Sequence, residues 1–148
     1  MDTRALTVVP VPGPGAEDVL IGPDGVAYTG CADGAIHAVE DGGRRITRIA
    51  NTGGRPLGLE WLPDGRLLVC DAHRGLLAVT LADGAIQTLA DSVGGHPMMF
   101  CNNAAVTSEG AIWFSDSSTR WSVEDWQSDL IEDTCTGRLL RLEPGGRP

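Results

Sequence analysis

The 148-residue chain is predicted to be all-β, a β-propeller carrying about three blades with a short helical insertion in the third. Three observations lead there. The sequence repeats with spacings of 40 and 45 residues between equivalent acidic turn positions, Asp24, Asp64 and Glu109. Within each repeat, short apolar runs alternate with tight turns. Finally, 20 Gly and 9 Pro occur in a chain that is still 42% hydrophobic, which rules out the low-hydrophobicity signature of disorder. A period near 40 with about four short strands per unit is that of a propeller blade.

Residues 1–13 read as a lead-in. The apolar stretch from Leu6 to Val9 is broken by Pro10 and Pro12, too short for a signal segment or a membrane span. No membrane span is expected, and a cytoplasmic location is.

The partial propeller then occupies 14–148, with blades at about 17–50, 57–90 and 102–143. In the first, Glu17 to Ile21 and Val26 to Thr29 flank Pro23-Asp24-Gly25. In the second, Leu57 to Leu62 and Arg66 to Val69 flank Pro63-Asp64-Gly65, and in the third Asn102 to Thr107 and Ala111 to Phe114 flank Ser108-Glu109-Gly110. Each turn supplies a fixed φ or a turn-forming polar group followed by a permissive Gly, as a hairpin requires. Tyr28, Val69, Trp113 and Phe114 favour strand in the second runs. Asp33-Gly34 and Asp83-Gly84 bound the outer strands. Ser122 to Ile131 lacks Gly and Pro and can set Val123, Trp126 and Leu130 on one helical face, with Ser122 as N-cap. Arg138 to Leu142 is the last strand. Three blades of a ring that needs about 4–8 leave two open edges, which invite self-association. An incomplete chain and a half-ring that pairs both fit.

Charge narrows the function. The formal net charge is −9, and all 11 basic residues are Arg. Without lysine there is no Schiff base, lysine general base or P-loop lysine. The acidity excludes a nucleic-acid partner, which needs clustered cations. The four cysteines show no C-x-x-C and read as reduced thiols, Cys31 and Cys70 lying in apolar runs. No G-x-S-x-G, G-x-G-x-x-G or H-E-x-x-H motif occurs.

The repeat register points to a site. Seven residues before Asp24, Asp64 and Glu109 stand Glu17, Leu57 and Asn102, all at the start of the innermost strand and facing the central channel. A carboxylate and a carboxamide converging on one axis suit a hard cation such as Ca²⁺, which takes about 6–8 oxygen ligands. They equally suit strand-end capping or bound channel water. Seven residues after the same turns stand Cys31, Asp71 and Asp116, of which the aspartates read as turn formers. His37 reads as structural and His73 as exposed. His96, in Gly94-Gly95-His96-Pro97, is the candidate general base at the channel mouth.

Several stretches resemble the strictosidine-synthase-like branch of the senescence-marker-protein/gluconolactonase (regucalcin-like) superfamily, on the side of the adipocyte plasma-membrane-associated-protein-like members. They are Gly15-Ala16-Glu17-Asp18, Tyr28 to Gly34, Gly54-Arg55-Pro56-Leu57-Gly58-Leu59, Cys70 to Leu76, Asn102 to Thr107, Trp113 to Ser118 and Thr136 to Leu140. The resemblance implies a six-bladed propeller with a divalent cation, usually Ca²⁺, in its channel. It implies Glu17 as first-blade metal ligand and Asn102 as the channel asparagine that touches metal or substrate. Asn103 stands where the family pattern has Asp, and Phe100 where lactonase members have Arg, so Asn102, Asn103 and Phe100 are the candidate substrate contacts. An apolar ester or lactone then fits better than a sugar lactone. The implied activity is calcium-dependent hydrolysis of a lactone or aryl ester, with amine–aldehyde condensation or non-catalytic binding as alternatives. The remaining ligands belong to later blades.

Overall fold

The computed structural model describes residues 6–145. Three antiparallel sheets follow one another along the chain. The first orders β1 (Val19–Ile21), β2 (Ala27–Gly30), β3 (Ala35–Glu40) and β4 (Arg45–Asn51) from inside to outside. The second does the same with β5 (Pro56–Trp61), β6 (Leu67–Asp71), β7 (Gly75–Val79) and β8 (Ile86–Ala90). After a small hairpin, β9 (Ser92–Val93) with β10 (His96–Pro97), the third sheet contains β11 (Cys101–Val106), β12 (Ile112–Asp116) and β13 (Arg138–Leu142). These are blades of a β-propeller, with the inner strand β5 packed against both β1 and β11.

Blade two is the core. Every residue of β6 and β7 is buried, because each face meets another blade, and the two strands accordingly read as continuous rather than alternating apolar runs. Toward blade one, Leu67, Val69, Leu77 and Val79 pack with Tyr28, Ile36 and Ala38. The Tyr28 and Trp61 rings meet edge to face, 5.3 Å apart. Toward blade three, Leu68, Cys70, Leu76 and Ala78 pack with Cys101, Ile112 and Phe114. All four cysteines are free thiols, and only Cys135 is exposed.

Two irregularities matter for the site. Between Pro56 and Leu59 in β5, and between Cys101 and Ala104 in β11, the register against the next strand slips by one residue. Such a bulge bends the strand and re-aims its side chains. It falls on Leu57-Gly58 and on Asn102-Asn103.

The insertion between β12 and β13 is helical, with a different interior from the one the sequence suggests. A 3-10 turn spans Val123–Asp125 and α1 spans Trp126–Glu132. Neither Ser122 nor Asp125 caps through its side chain. Val123 is buried, whereas Leu130 is 69% exposed, so the three expected residues form no common buried face. Hydrogen bonds hold the segment instead. Asp129 accepts from the Ser118 and Thr134 hydroxyls, and Ser118 Oγ accepts from the Arg120 and Trp121 N–H groups. Those two hydroxyl donors hold the Asp129 carboxyl below the ordinary aspartate range.

Asp116 also departs from the turn-former expectation. It is fully buried at the end of β12, where Oδ1 accepts from Phe100 N–H at 2.8 Å and Oδ2 pairs with Arg138. Asp71 does form its turn, since its Oδ1 accepts from His73 and Arg74 N–H groups, both at 3.0 Å.

Candidate functional site at the inner strand starts

Glu17 from blade one, Leu57 from blade two and Asn102 from blade three line a single cavity of about 350 Å³. Arg55, Phe100, Val123, Glu124 and Trp126 complete its wall. The register that places the three inner-strand starts together is therefore realised in space.

Local structure explains the convergence. Asp18, next to Glu17, accepts from Val19 N–H at 2.8 Å and from Leu59 N–H at 2.9 Å, which ties the blade-one inner strand to that of blade two. Gly58 ties blade two to blade three. A Cβ there would lie 2.7 Å from the Asn102 carbonyl oxygen and 2.8 Å from Asn103 Cα, so only glycine lets β11 come this close. Asn102 then sits on the bulge, with its Nδ2 donating to Ser117 Oγ at 3.0 Å.

That hydrogen bond bears on cation binding. With the amide nitrogen engaged by Ser117, the Asn102 side-chain carbonyl oxygen is left as a ligand, and no hydrogen bond among the described residues occupies it. Glu17 is exposed and makes no ion pair among the described residues. A carboxylate and a carbonyl oxygen are the hard donors a divalent cation prefers. The residues present thus fit such an ion as two of its ligands. No cluster of three or more His, Cys, Asp or Glu residues forms among the described residues.

The other sequence candidates distribute unevenly. Phe100 lines the cavity. Asn103 is exposed beside it, its Oδ1 accepting from Ala104 N–H at 2.8 Å. His96 lies exposed on β10 and is not part of the cavity wall. His37 is buried in β3, and neither ring nitrogen has a hydrogen-bond partner among the described residues. His73 is exposed, and its Nε2 meets Glu124 Oε1 at 2.8 Å.

Glu124, Val123, Trp126 and Arg55 are wall residues that sequence reasoning did not assign. The first three come from the insertion, and the His73–Glu124 contact joins it to the β6–β7 bend of blade two. Burial raises the Glu124 carboxyl, but hydrogen bonds from its own N–H, Ser122 and His73 outweigh that and hold it below its ordinary value. Glu124 is therefore ionised at neutral pH. A larger groove of about 510 Å³ lies between the turns of blades two and three, but none of the inner-strand residues that converge on the smaller cavity reaches it.

Comparison with known proteins agrees with this architecture. The chain is 37% identical over 151 residues to adipocyte plasma membrane-associated protein from Salmo salar, covering 86% of this chain and 36% of that protein. It is 31% identical over 124 residues to strictosidine synthase-like 7 from Arabidopsis thaliana, covering 81% and 33%. Among solved structures it resembles a gluconolactonase from Xanthomonas campestris with a TM-score of 0.71, at 17% identity, covering 92% of this chain and 46% of that one. The chain thus spans about a third of the length of these curated relatives. No helix among the described residues is long and apolar enough to cross a membrane. The family model described as the SMP-30/Gluconolactonase/LRE-like region matches residues 24–147, and the chain belongs to that family.

Proposed function

We propose that this chain supplies part of a divalent-cation site, of the Ca²⁺ type, in a hydrolase that opens a lactone or cleaves an aryl ester. The observation that carries the reading is the presence of Glu17 and Asn102, from blades one and three, on the wall of one cavity. When bound there, a divalent cation supplies Lewis acidity toward an ester or lactone carbonyl.

The chain's own residues have three tasks. Glu17 and Asn102 hold the cation, with Ser117 engaging the Asn102 amide nitrogen so that the carbonyl oxygen stays free to ligate. Phe100, packed against the buried Leu57, offers apolar surface to the acyl or aryl portion of the ligand. The insertion closes one side of the cavity through Val123, Glu124 and Trp126. His96 is given no part in the chemistry, since it does not line the cavity.

The test is hydrolysis of phenyl acetate and of δ-valerolactone by the protein carrying these blades, with Ca²⁺ present and after chelation. Turnover of one of the two that disappears on chelation and in Glu17→Gln supports the reading. Turnover indifferent to chelation, or no turnover in either state, overturns it.

A further inference from the structure

Taking as its basis the reading of this cavity as a ligand site, we propose that Arg55 anchors an anionic group, so that the ligand class is an ester or lactone bearing a carboxylate. Arg55 rises from a rigid stalk. Its N–H donates to Asp71 Oδ1 at 3.0 Å and its carbonyl accepts from Ala72 N–H at 2.9 Å. Asp71 itself is fully buried, and its Oδ1 is shared with two further N–H groups. The next residue, Pro56, is fully buried against Gly30, where a Cβ would come within 2.6 Å of the proline ring. Backbone motion at Arg55 is therefore suppressed.

Among the described residues the guanidinium has no acidic partner. Two carboxylates, Glu17 and Glu124, line the same cavity, yet Arg55 makes no ion pair within 4.0 Å among the described residues. Glu124 pairs with His73 instead. An arginine whose backbone is fixed beside Leu57, Phe100 and Val123, with its planar fork making no hydrogen bond among the described residues, matches a carboxylate in geometry and charge.

Charge couples the two binding events. Two carboxylates and one guanidinium leave the cavity one charge negative, which repels an anion. A divalent cation on Glu17 and Asn102 makes it one charge positive. Anion and cation therefore bind with positive coupling, each raising the other's affinity by the same factor.

Calorimetric titration of the chain with phenylacetate and with neutral phenylacetamide, each with and without Ca²⁺, tests this, with tryptophan emission (Trp126 lies in the wall) as a second readout. In Ca²⁺ the carboxylate should bind about tenfold or more tightly than the amide. Arg55→Gln should abolish that preference and leave phenylacetamide binding unchanged, with Ca²⁺ bound at least as tightly because a positive charge has left the cavity, and Arg55→Lys should retain part of the preference. If Ca²⁺ binds but the two probes bind alike, or if the preference survives in Arg55→Gln, the assignment of Arg55 is overturned and the cation reading stands. If neither Ca²⁺ nor either probe binds, both fall.

Discussion

Gly58→Ala is the smallest change that should separate blade three from blade two at the cavity. The added Cβ would lie 2.7 Å from the Asn102 carbonyl oxygen, 2.7 Å from Asn103 Oδ1 and 2.8 Å from Asn103 Cα, where ordinary contact starts at 3.4 Å. Two of these three neighbours are main chain, so relief requires β11 to retreat by about 0.6–0.7 Å rather than a rotamer to turn. Overpacking of this kind costs about 1–3 kcal/mol. The control is Gly65→Ala, where φ is +83° and nothing lies within 4 Å. Its cost is backbone strain of about 1–2 kcal/mol with no push on β11. Urea denaturation should show similar losses for the two variants. Ca²⁺ titration should show weakened affinity in Gly58→Ala alone, since only there is Asn102 displaced relative to Glu17. Equal Ca²⁺ affinity in the two variants at matched destabilisation would refute the claim that this close approach positions the site.

Other consequences are equally direct. Arg138→Met leaves the fully buried Asp116 carboxylate without its cation and should cost about 3–5 kcal/mol in urea denaturation, much of it regained in the Asp116→Asn, Arg138→Met double variant. At acidic pH the insertion should loosen before the sheets do. The Asp129 carboxyl is depressed in the folded chain, so its contribution is fully present above its unfolded value of about 3.9 and is lost as pH falls through the lower, folded one. Hydrogen exchange over residues 118–136 should follow that titration and lose it in Asp129→Asn. Thiol counting with an aromatic disulfide reagent should find one reactive cysteine in the native chain, Cys135, and four after denaturation. The neighbouring Asp133 carboxylate raises the Cys135 thiol, so its rate should climb with pH. Cys101 is held far above its usual value by its contact with the Cys70 thiol and by burial, and should stay silent.

What the sequence disclosed was what repetition encodes. Pro23-Asp24-Gly25 and Pro63-Asp64-Gly65 mark β1–β2 and β5–β6 because a tight turn demands those residues locally, and counting from them carries Glu17, Leu57 and Asn102 to one cavity. Features that depend on neighbours elsewhere in the chain were not legible. The one-residue bulges at Leu57-Gly58 and Asn102-Asn103 fall where β5 and β11 approach each other, which no local pattern records. Asp116 looks like any strand-end aspartate until Arg138, 22 residues on, is folded against it. Nothing in the stretch Gly54-Arg55-Pro56 assigns Arg55 a role, and only the Asp71 turn that grips its backbone shows how it is held at the cavity. The insertion misled for a related reason. Its helical spacing is real, but hydrogen bonds through Ser118 and Asp129, not an apolar face, decide how it lies.

Convergence of blades one and three on a shared ion is most directly measured by a double-mutant cycle on Ca²⁺ affinity, using Glu17→Gln, Asn102→Leu and the two combined. Each single change should weaken binding by more than about tenfold, the loss that even outer partners of a metal can cause. The double variant should fall well short of the product of the single losses, because residues that hold the same ion lose it together. Losses that multiply independently, or single variants that bind Ca²⁺ as the parent does, would contradict a common site.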